Sequence, residues 1–241
     1  MPGDKKVYDC IASLGGFCAV AHNLRYRSKR PFSLPFDWVY MPDQRPVAYL
    51  IEGFKDNFKN LALKENLQRI AGNKSHAIIY KDTYSGYCFP NHFSAPLEEV
   101  DTYPAFYDKL KRRTERLIHA LQTSKKALLI LATEFVVEQK LLMELYQTLV
   151  KQFPETSISL RVMLFNSPDN KTYTEGENFV IEYFSRKVND YDTLATNYEW
   201  AFMDQLEWSS SNPIISPLNK RLMSLSCFGY NLSLRLTRKQ K

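Results

Sequence analysis

The second half of the chain alternates helix-length amphipathic segments with short apolar ones, and this order constrains the fold most strongly. Residues 101–122 place apolar side chains at helical spacing, and the apolar segment KALLILAT follows at 126–133. A second helical pattern spans 137–152, and apolar segments typical of strands follow at 158–166 and 179–184. Alternation of this kind predicts an α/β fold of three layers, with helices flanking a mostly parallel, Rossmann-like sheet.

The N-terminal segment adds a further strand–helix unit to this pattern. An apolar, β-prone run at residues 7–14 meets two glycines, Gly15 and Gly16, and a helical pattern then extends to about Tyr26. We expect the glycines to lie between the carboxyl end of a strand and the N-terminus of a helix. Ligands bind at that edge of a parallel sheet, so this junction is a candidate functional site.

The rest of the sequence is expected to complete a single domain. Residues 83–96, TYSGYCFPNHFSAP, have the composition of an irregular loop, but their many aromatic side chains indicate that the loop packs onto the body of the domain. A last regular helix is predicted at about 197–206. We therefore predict one α/β domain over residues 1–207 and a basic extension over residues 208–241, which packs on the domain or trails from it.

Composition excludes several classes of protein. Apolar residues make up 44% of the 241 positions, and 15 Phe and 15 Tyr argue for a folded domain over a disordered chain. The four cysteines include no CxxC pair, so the sequence predicts no zinc site, and we expect no metal or other cofactor. No run approaches the roughly 18–20 apolar residues of a membrane helix, and the N-terminus lacks the core of a signal peptide. We therefore expect no membrane span and a cytoplasmic location.

The net charge of +6 is concentrated at the end of the chain. No acidic residue follows Glu207, and six basic residues there account for the whole excess: Lys220, Arg221, Arg235, Arg238, Lys239 and Lys241. The body of the protein is formally neutral, so we expect no specific binding of nucleic acid. The basic tail is expected to be solvated surface or to make a weak contact with an anionic surface.

Cys18 is the candidate nucleophile at the strand–helix junction. The N-terminus of a helix carries partial positive charge and spare N–H groups, which stabilise a thiolate and lower the pKa of a cysteine. The N–H groups of Gly15 and Gly16 are candidate donors to an oxyanion. The alternative is that Cys18 is a small buried side chain that fits where a helix meets a sheet.

A nucleophilic cysteine needs a base, and the sequence offers two candidates. His22 lies four residues after Cys18 on the same helical face, and His92 lies in the predicted aromatic loop. The sequence does not decide between His22 and His92 as the base. His76 and His119 are expected to be structural or surface groups.

Further candidates would orient the base or bind substrate. Asp37 lies between bulky apolar residues in PFDW, which indicates a fixed carboxylate able to orient the base; Asp82 and Asn91 are weaker candidates. Arg113 lies near the apolar stripe of its helix, where it would bind an anionic group or belong to a solvated face. The predicted substrate-binding residues are Gly15, Gly16, Trp38 and Arg113.

The segments ASLGGFCAVAHNL and PFDW together resemble the pattern S-L-G-x-x-C-x-x-A-x-x-L … P-F-D-W of a bacterial family of papain-like cysteine peptidases, a domain of unknown function. The later RRTERLIHAL helix and the KKALLILAT strand are similar to the family more loosely, and the resemblance covers roughly residues 5–200. It implies a hydrolase with Cys18 as nucleophile, His92 as base and Asp37 as the orienting acid.

Three functions are compatible with these observations. The first is a cysteine hydrolase or acyl transferase acting on a substrate that the sequence does not identify. The second is an α/β enzyme of glycan or carrier metabolism that binds phosphate or sulfate at the same junction through Arg25 and Arg113, with Cys18 a bystander. The third is a non-catalytic interaction module that uses the aromatic loop and the basic tail as contact surfaces.

Overall fold

The computed structural model of the protein describes residues 5–70, 78–90, 92–186 and 198–209. The strands are, in chain order, β1 (Lys6–Tyr8), β2 (Cys10–Ser13), β3 (Leu67–Ile70), β4 (Ile79–Asp82), β5 (Cys88–Pro90), β6 (Lys126–Thr133), β7 (Ser157–Leu164), β8 (Lys171–Glu175), β9 (Phe179–Tyr183) and β10 (Leu206–Trp208). The helices are α1 (Ala19–Tyr26), α2 (Arg45–Asp56), α3 (Tyr103–Thr123) and α4 (Gln139–Gln152), with short 3₁₀ helices at Lys64–Asn66 and Tyr198–Gln205.

A five-stranded sheet in the order β2-β6-β7-β9-β8 forms the centre of the protein. Its first four strands are parallel, and β8 joins the edge antiparallel to β9. The predicted mixed α/β fold with a mostly parallel sheet is thereby confirmed. The finer, Rossmann-like arrangement of that sheet remains a prediction.

Each face of the sheet covers its own hydrophobic core, because successive side chains of a strand point to opposite faces. On β6, Leu129 and Leu131 belong to a core that also includes side chains of α2, α3 and α4. Leu128 and Ile130 belong to the opposite core, together with side chains of α1 and the indole of Trp200. The fully apolar sequence of β6 follows from this burial on both sides.

The single strand predicted at residues 7–14 is instead two strands in different sheets. β1 pairs in parallel with β10, whereas β2 pairs in parallel with β6. The change occurs at Asp9, whose carboxylate accepts the backbone N–H groups of Lys125 and Lys126, each at 3.0 Å. The backbone N–H of Asp9 donates to the Lys126 carbonyl at 2.8 Å, so pairing of the chain with β6 begins at this residue.

The aromatic segment at residues 83–96 is packed as predicted but is more regular than predicted. β5 lies within it and completes a three-stranded antiparallel sheet with β3 and β4. Tyr87 and Phe89 are buried, and the Tyr87 hydroxyl donates to the Leu14 carbonyl at 3.1 Å. The prediction of an irregular loop is therefore wrong for Cys88–Pro90, where pairing with β4 supplies backbone partners that sequence composition does not reveal.

The regular helix expected at 197–206 is a 3₁₀ helix, Tyr198–Gln205. β10 follows it and ends at Trp208. The division of the chain after residue 207 remains a prediction, and residues 210–241 of the basic extension lie outside the described residues. Among the helices of the described residues, none has the length and apolar character needed to cross a membrane.

Candidate active site

Cys18 lies where the chain leaves the central sheet and enters α1. Beyond β2, the Leu14 N–H donates to the Ile130 carbonyl at 2.8 Å and the Ala132 N–H donates to the Gly15 carbonyl at 3.3 Å. The contacts with β6 therefore continue to the carboxyl edge of the parallel strands. Cys18 is the N-cap residue of α1, so its backbone lies at that edge, as the sequence predicts.

The two glycines before Cys18 are required by backbone geometry. Gly16 has φ +107°, and a Cβ atom there would lie 1.4 Å from the Ala132 carbonyl oxygen. Gly15 has φ +89°, and a Cβ atom there would lie 2.8 Å from a methyl group of Val39. The Gly15 N–H donates to Ser13 Oγ at 3.1 Å. This N–H therefore already has a partner, and the role of the two glycines in binding an oxyanion remains a prediction.

A cavity of about 340 Å³ brings several of the predicted residues together. Its lining consists of Cys18, Trp38, Pro90, His92, Lys109 and Arg113. These residues come from the β2–α1 junction, the PFDW turn, the end of β5 and the segment after it, and α3. Residues far apart in sequence therefore share one open cavity with the Cys18 thiol.

His92 is held by the backbone of the PFDW turn. Its Nε2 lies 3.1 Å from the Trp38 carbonyl oxygen. A carbonyl can only accept, so Nε2 carries the proton and the lone pair of the neutral ring is on Nδ1. The rings of Phe89 and Phe106 pack edge-on against the imidazole. The structure thus fixes the tautomer in which Nδ1 is available as a base.

The pKa of His92 is lowered to about 4, mostly by burial and to a smaller extent by the cations Lys109 and Arg113, against the opposing effect of the Trp38 carbonyl. The imidazole is therefore neutral at physiological pH. A neutral ring can accept a proton, which is the state that a general base requires.

Asp37 is buried and binds groups other than the imidazole. Its Oδ2 accepts from Arg30 Nε at 2.8 Å and from the Leu34 N–H at 2.7 Å. The Arg30 guanidinium also lies over the Trp38 ring, 5.2 Å from its centroid. Burial raises the pKa of Asp37, and the charge of Arg30 opposes that rise. The carboxylate thus fixes the turn whose next residue, Trp38, provides the carbonyl that binds His92.

The thiol of Cys18 is partly buried, and burial raises its pKa. Its own backbone N–H acts in the opposite direction, and the carboxylate of Glu134, just beyond β6, raises the pKa further. The lowering expected at a helix N-terminus is therefore outweighed by desolvation. Among the cysteines that the structure describes, Cys10 and Cys88 are buried, with pKa values raised to about 12 and about 11. Cys18 is the most accessible of these three thiols.

The other sequence candidates lie elsewhere or outside the described residues. His22 lies on α1, but the described lining of the cavity does not include it. Asp82, the last residue of β4, is buried and accepts from the Ala62 N–H at 2.9 Å and from Ser85 Oγ at 2.6 Å. His119 is exposed on α3. Asn91, the other weaker candidate, lies outside the described residues, as do His76 and Cys227.

Sequence reasoning missed three charged residues at the site. Lys109 lines the cavity, Arg30 joins Asp37 to Trp38, and Glu134 lies close enough to affect the pKa of the Cys18 thiol. Lys109 could have been found, because it lies four residues before Arg113 on the same helix face. Arg30 has no comparable sequence signal, because only the fold reveals its buried partner, Asp37.

No set of three or more His, Cys, Asp or Glu side chains within the described ranges is arranged to hold a metal ion.

A thiol and a neutral imidazole in one cavity, at the carboxyl edge of a parallel sheet, are the elements of a cysteine-dependent enzyme. The chain belongs to the family described as "Putative papain-like cysteine peptidase (DUF1796)", whose model matches residues 9–167. Membership of the family is thereby confirmed, and the description supports the general kind of function, whereas the specific motif stated for the family remains a prediction. The bacterial origin of the chain remains a prediction.

An uncharacterized protein of Acanthamoeba polyphaga mimivirus is also similar to this chain. The two are 25% identical over 180 residues, which cover 67% of this chain and 79% of the viral protein. No solved structure matches.

Proposed function

We propose that the protein is a cysteine-dependent hydrolase or acyl transferase in which Cys18 is the nucleophile and His92 the general base. The observation that carries this proposal is the shared cavity, which is lined by both side chains and is open to a substrate. The hydrogen bond from Nε2 to the Trp38 carbonyl supports the assignment of His92, because it leaves Nδ1 to accept a proton.

The pKa shifts favour a mechanism that starts from a neutral pair. Burial raises the pKa of the Cys18 thiol and lowers that of His92, so the resting site holds a thiol and a neutral imidazole. Nδ1 of His92 takes the proton of the thiol while the sulfur attacks the carbonyl carbon of the substrate. The imidazolium then gives this proton to the leaving amine or alcohol as the bond between it and the acyl carbon breaks.

The acyl group is then bound to the sulfur of Cys18 as a thioester. In a hydrolase, water attacks the thioester while His92 takes one of its protons, and the carboxylic acid leaves as the proton returns to the sulfur. In an acyl transferase, an amine or alcohol replaces water in the same step. Both routes restore the thiol and the neutral imidazole.

Backbone N–H groups at the start of α1 are the proposed oxyanion donors. The first intrahelical bond runs from the His22 N–H to the Cys18 carbonyl at 2.9 Å. The N–H groups before His22 therefore lack a partner within the helix, and no side chain caps them. They would stabilise the negative charge that develops on the carbonyl oxygen during attack by Cys18.

Asp37 and Trp38 are positioning residues in this proposal. The Trp38 carbonyl fixes the tautomer of His92, while Asp37 and Arg30 hold the turn that carries this carbonyl. A base whose free nitrogen is fixed transfers protons more effectively than one that rotates.

Alkylation with iodoacetamide tests the proposal, with the modified cysteine identified by mass spectrometry. Folded protein at neutral pH should be labelled at Cys18 before Cys10, Cys88 and Cys227. A His92→Gln variant should still be labelled at Cys18 but at least about tenfold more slowly, because the base that takes the thiol proton is gone.

Two histidine variants complete this experiment. His119→Gln, which changes an exposed histidine of α3, should react at the wild-type rate. His22→Gln should also leave the rate nearly unchanged if His92 is the base, and a large loss in this variant instead would transfer the role to His22. Labelling of Cys18 no faster than that of Cys10 and Cys88 would refute the proposal.

A further inference from the structure

Two cations of α3 share the cavity with the proposed nucleophile and base. Lys109 and Arg113 are four residues apart, so they lie on one face of the helix, and both line the cavity. Each is partly buried, whereas the intervening Lys111 and Arg112 are exposed. The fold therefore places two partly buried positive charges in the cavity that Cys18 also lines.

These two charges are only partly compensated. Burial lowers the pKa of both side chains, and the charge of Arg113 lowers that of Lys109 further. Around Arg113, the charge of Asp37 opposes the lowering, while those of Arg30, Arg116 and Arg112 add to it. No ion pair found in the described part of the chain includes either one, although Arg30 nearby is paired with Asp37 at 2.8 Å. Like charges at this helical spacing repel, so a bound anion would stabilise the arrangement.

We propose that Lys109 and Arg113 bind an anionic group of the substrate, a carboxylate or a phosphate, and thereby select acyl substrates that are negatively charged close to the reacting carbonyl. This inference rests on the proposed function of Cys18 and His92. Trp38 and Pro90 form an apolar part of the wall for the rest of the acyl group. A cavity of about 340 Å³ admits a small molecule or the end of a chain.

Binding of an anion by Lys109 and Arg113 would also change the basicity of His92. Lys109 and Arg113 both lower the pKa of His92, while the other groups known to contact the imidazole are the Trp38 carbonyl and the rings of Phe89 and Phe106, all uncharged. An anion held by the two cations would weaken their repulsion of the imidazolium. His92 would then be a stronger base with an anionic substrate bound than with a neutral one.

Alkylation with two reagents of nearly equal size tests this inference. Iodoacetate carries a carboxylate where iodoacetamide carries a neutral amide, so the ratio of their rates at Cys18 reports the effect of charge. We expect iodoacetate to react faster than iodoacetamide by about tenfold at low ionic strength, and added salt to reduce that ratio. The double variant Lys109→Met, Arg113→Met should abolish the preference.

A matched control separates local binding from overall charge. Lys111→Met, Arg112→Met removes two exposed cations of the same helix and should leave the preference unchanged. Circular dichroism of each variant checks that it is folded. The single variant Lys109→Met is a milder change that can be measured if the double variant does not fold. Protection from iodoacetamide by succinate or by inorganic phosphate would show whether a carboxylate or a phosphate is preferred.

The outcomes distinguish this inference from the proposed function. Fast labelling of Cys18 by iodoacetamide with no preference for iodoacetate would overturn the inference and leave the proposed function intact. Labelling by neither reagent would overturn both. An equal preference for iodoacetate over iodoacetamide in wild type and in the variant Lys109→Met, Arg113→Met would also overturn the inference. Failure of both succinate and phosphate to protect Cys18 would overturn it as well.

Discussion

At the scale of single residues, the candidate site depends on one carbonyl. The Trp38 carbonyl accepts a hydrogen bond from His92 Nε2, and Asp37, the preceding residue, accepts hydrogen bonds from Arg30 and from the Leu34 N–H. The PFDW turn thus connects the buried ion pair of Arg30 and Asp37 to the backbone carbonyl that orients His92. A carboxylate that fixes the neighbouring backbone can influence a histidine without touching it.

Replacing Asp37 by Asn should destabilise the fold strongly. The Arg30 and Asp37 side chains are 11% and 2% exposed, so the variant would leave a nearly buried guanidinium without its counter-charge. We expect a loss of about 3–5 kcal/mol in the free energy of unfolding, measured by urea denaturation. The matched control Asp204→Asn breaks the ion pair with Arg27, in which Asp204 is 62% exposed, and should cost less than about 1 kcal/mol. Equal losses in the two variants would contradict the account.

The depressed pKa of His92 makes stability depend on pH. In the unfolded chain this histidine has a pKa of about 6.5, against about 4 in the folded protein. Between these values the unfolded chain binds a proton that the folded protein does not. The free energy of unfolding should therefore fall as pH falls from about 6.5 to about 4, and the contribution of His92 amounts to about 3 kcal/mol at the lower limit.

Urea denaturation at about pH 7 and about pH 4.5 measures this contribution. The His92→Gln variant should lose less stability between the two conditions than wild type does, by about 2–3 kcal/mol. His119→Gln, a change at an exposed position, should keep the wild-type dependence. If His92→Gln and wild type lose equal stability, the imidazole is not buried as described.

At the scale of elements, the junction of β2 and α1 is set by close contact with β6. The backbone passes so near the Ala132 carbonyl that Gly16 can carry no side chain, and this approach brings Cys18 to the edge of the sheet. Glycine at residue 16 is thus a requirement of packing as well as of conformation.

Two glycine substitutions separate the effect of close packing from that of backbone conformation. Gly16→Ala would place a Cβ atom 1.4 Å from the Ala132 oxygen at φ +107°, so we expect a loss of more than about 4 kcal/mol or failure to fold. Gly176→Ala has φ +62° with no atom within 4 Å of the new Cβ, and should cost only about 1–2 kcal/mol for the strained backbone. Thermal unfolding compares the two, and similar losses would show that close packing at Gly16 is unimportant.

At the scale of the whole molecule, the sequence predicted the elements that obey simple periodicity. β6 was predicted with its observed bounds, and α3 within two residues at its start, because each buries apolar side chains at regular spacing. β5 and β8 were missed, since their pairing partners supply hydrogen bonds that no local pattern shows. The division of residues 7–14 into two strands reflects pairing with two different strands, β10 and β6, that are distant in sequence.

The sequence predicted the position of Cys18 in the candidate site but not the contacts that hold the other residues there. Local signals located Cys18, because a strand, two glycines and a helix meet there. The link between His92 and the Trp38 carbonyl joins residues 54 positions apart and could not be read from spacing. The pKa of Cys18 shows the same limit: position at a helix start favours lowering, but burial, which depends on the complete fold, raises it.

The most direct test of the central claim is the pH dependence of acylation of Cys18. Mixing the protein with p-nitrophenyl acetate should acetylate the sulfur and release one p-nitrophenol per molecule in a burst, which the variant Cys18→Ala should lose. In wild type the burst rate should rise through about pH 4 and then become nearly constant, because His92 is neutral above its pKa of about 4.

The His92→Gln variant should behave differently. Without the base, acylation requires the thiolate, whose pKa burial raises, so the rate should increase about tenfold per pH unit through about pH 8. A burst with the wild-type pH profile in His92→Gln, or one that persists in Cys18→Ala, would contradict the account.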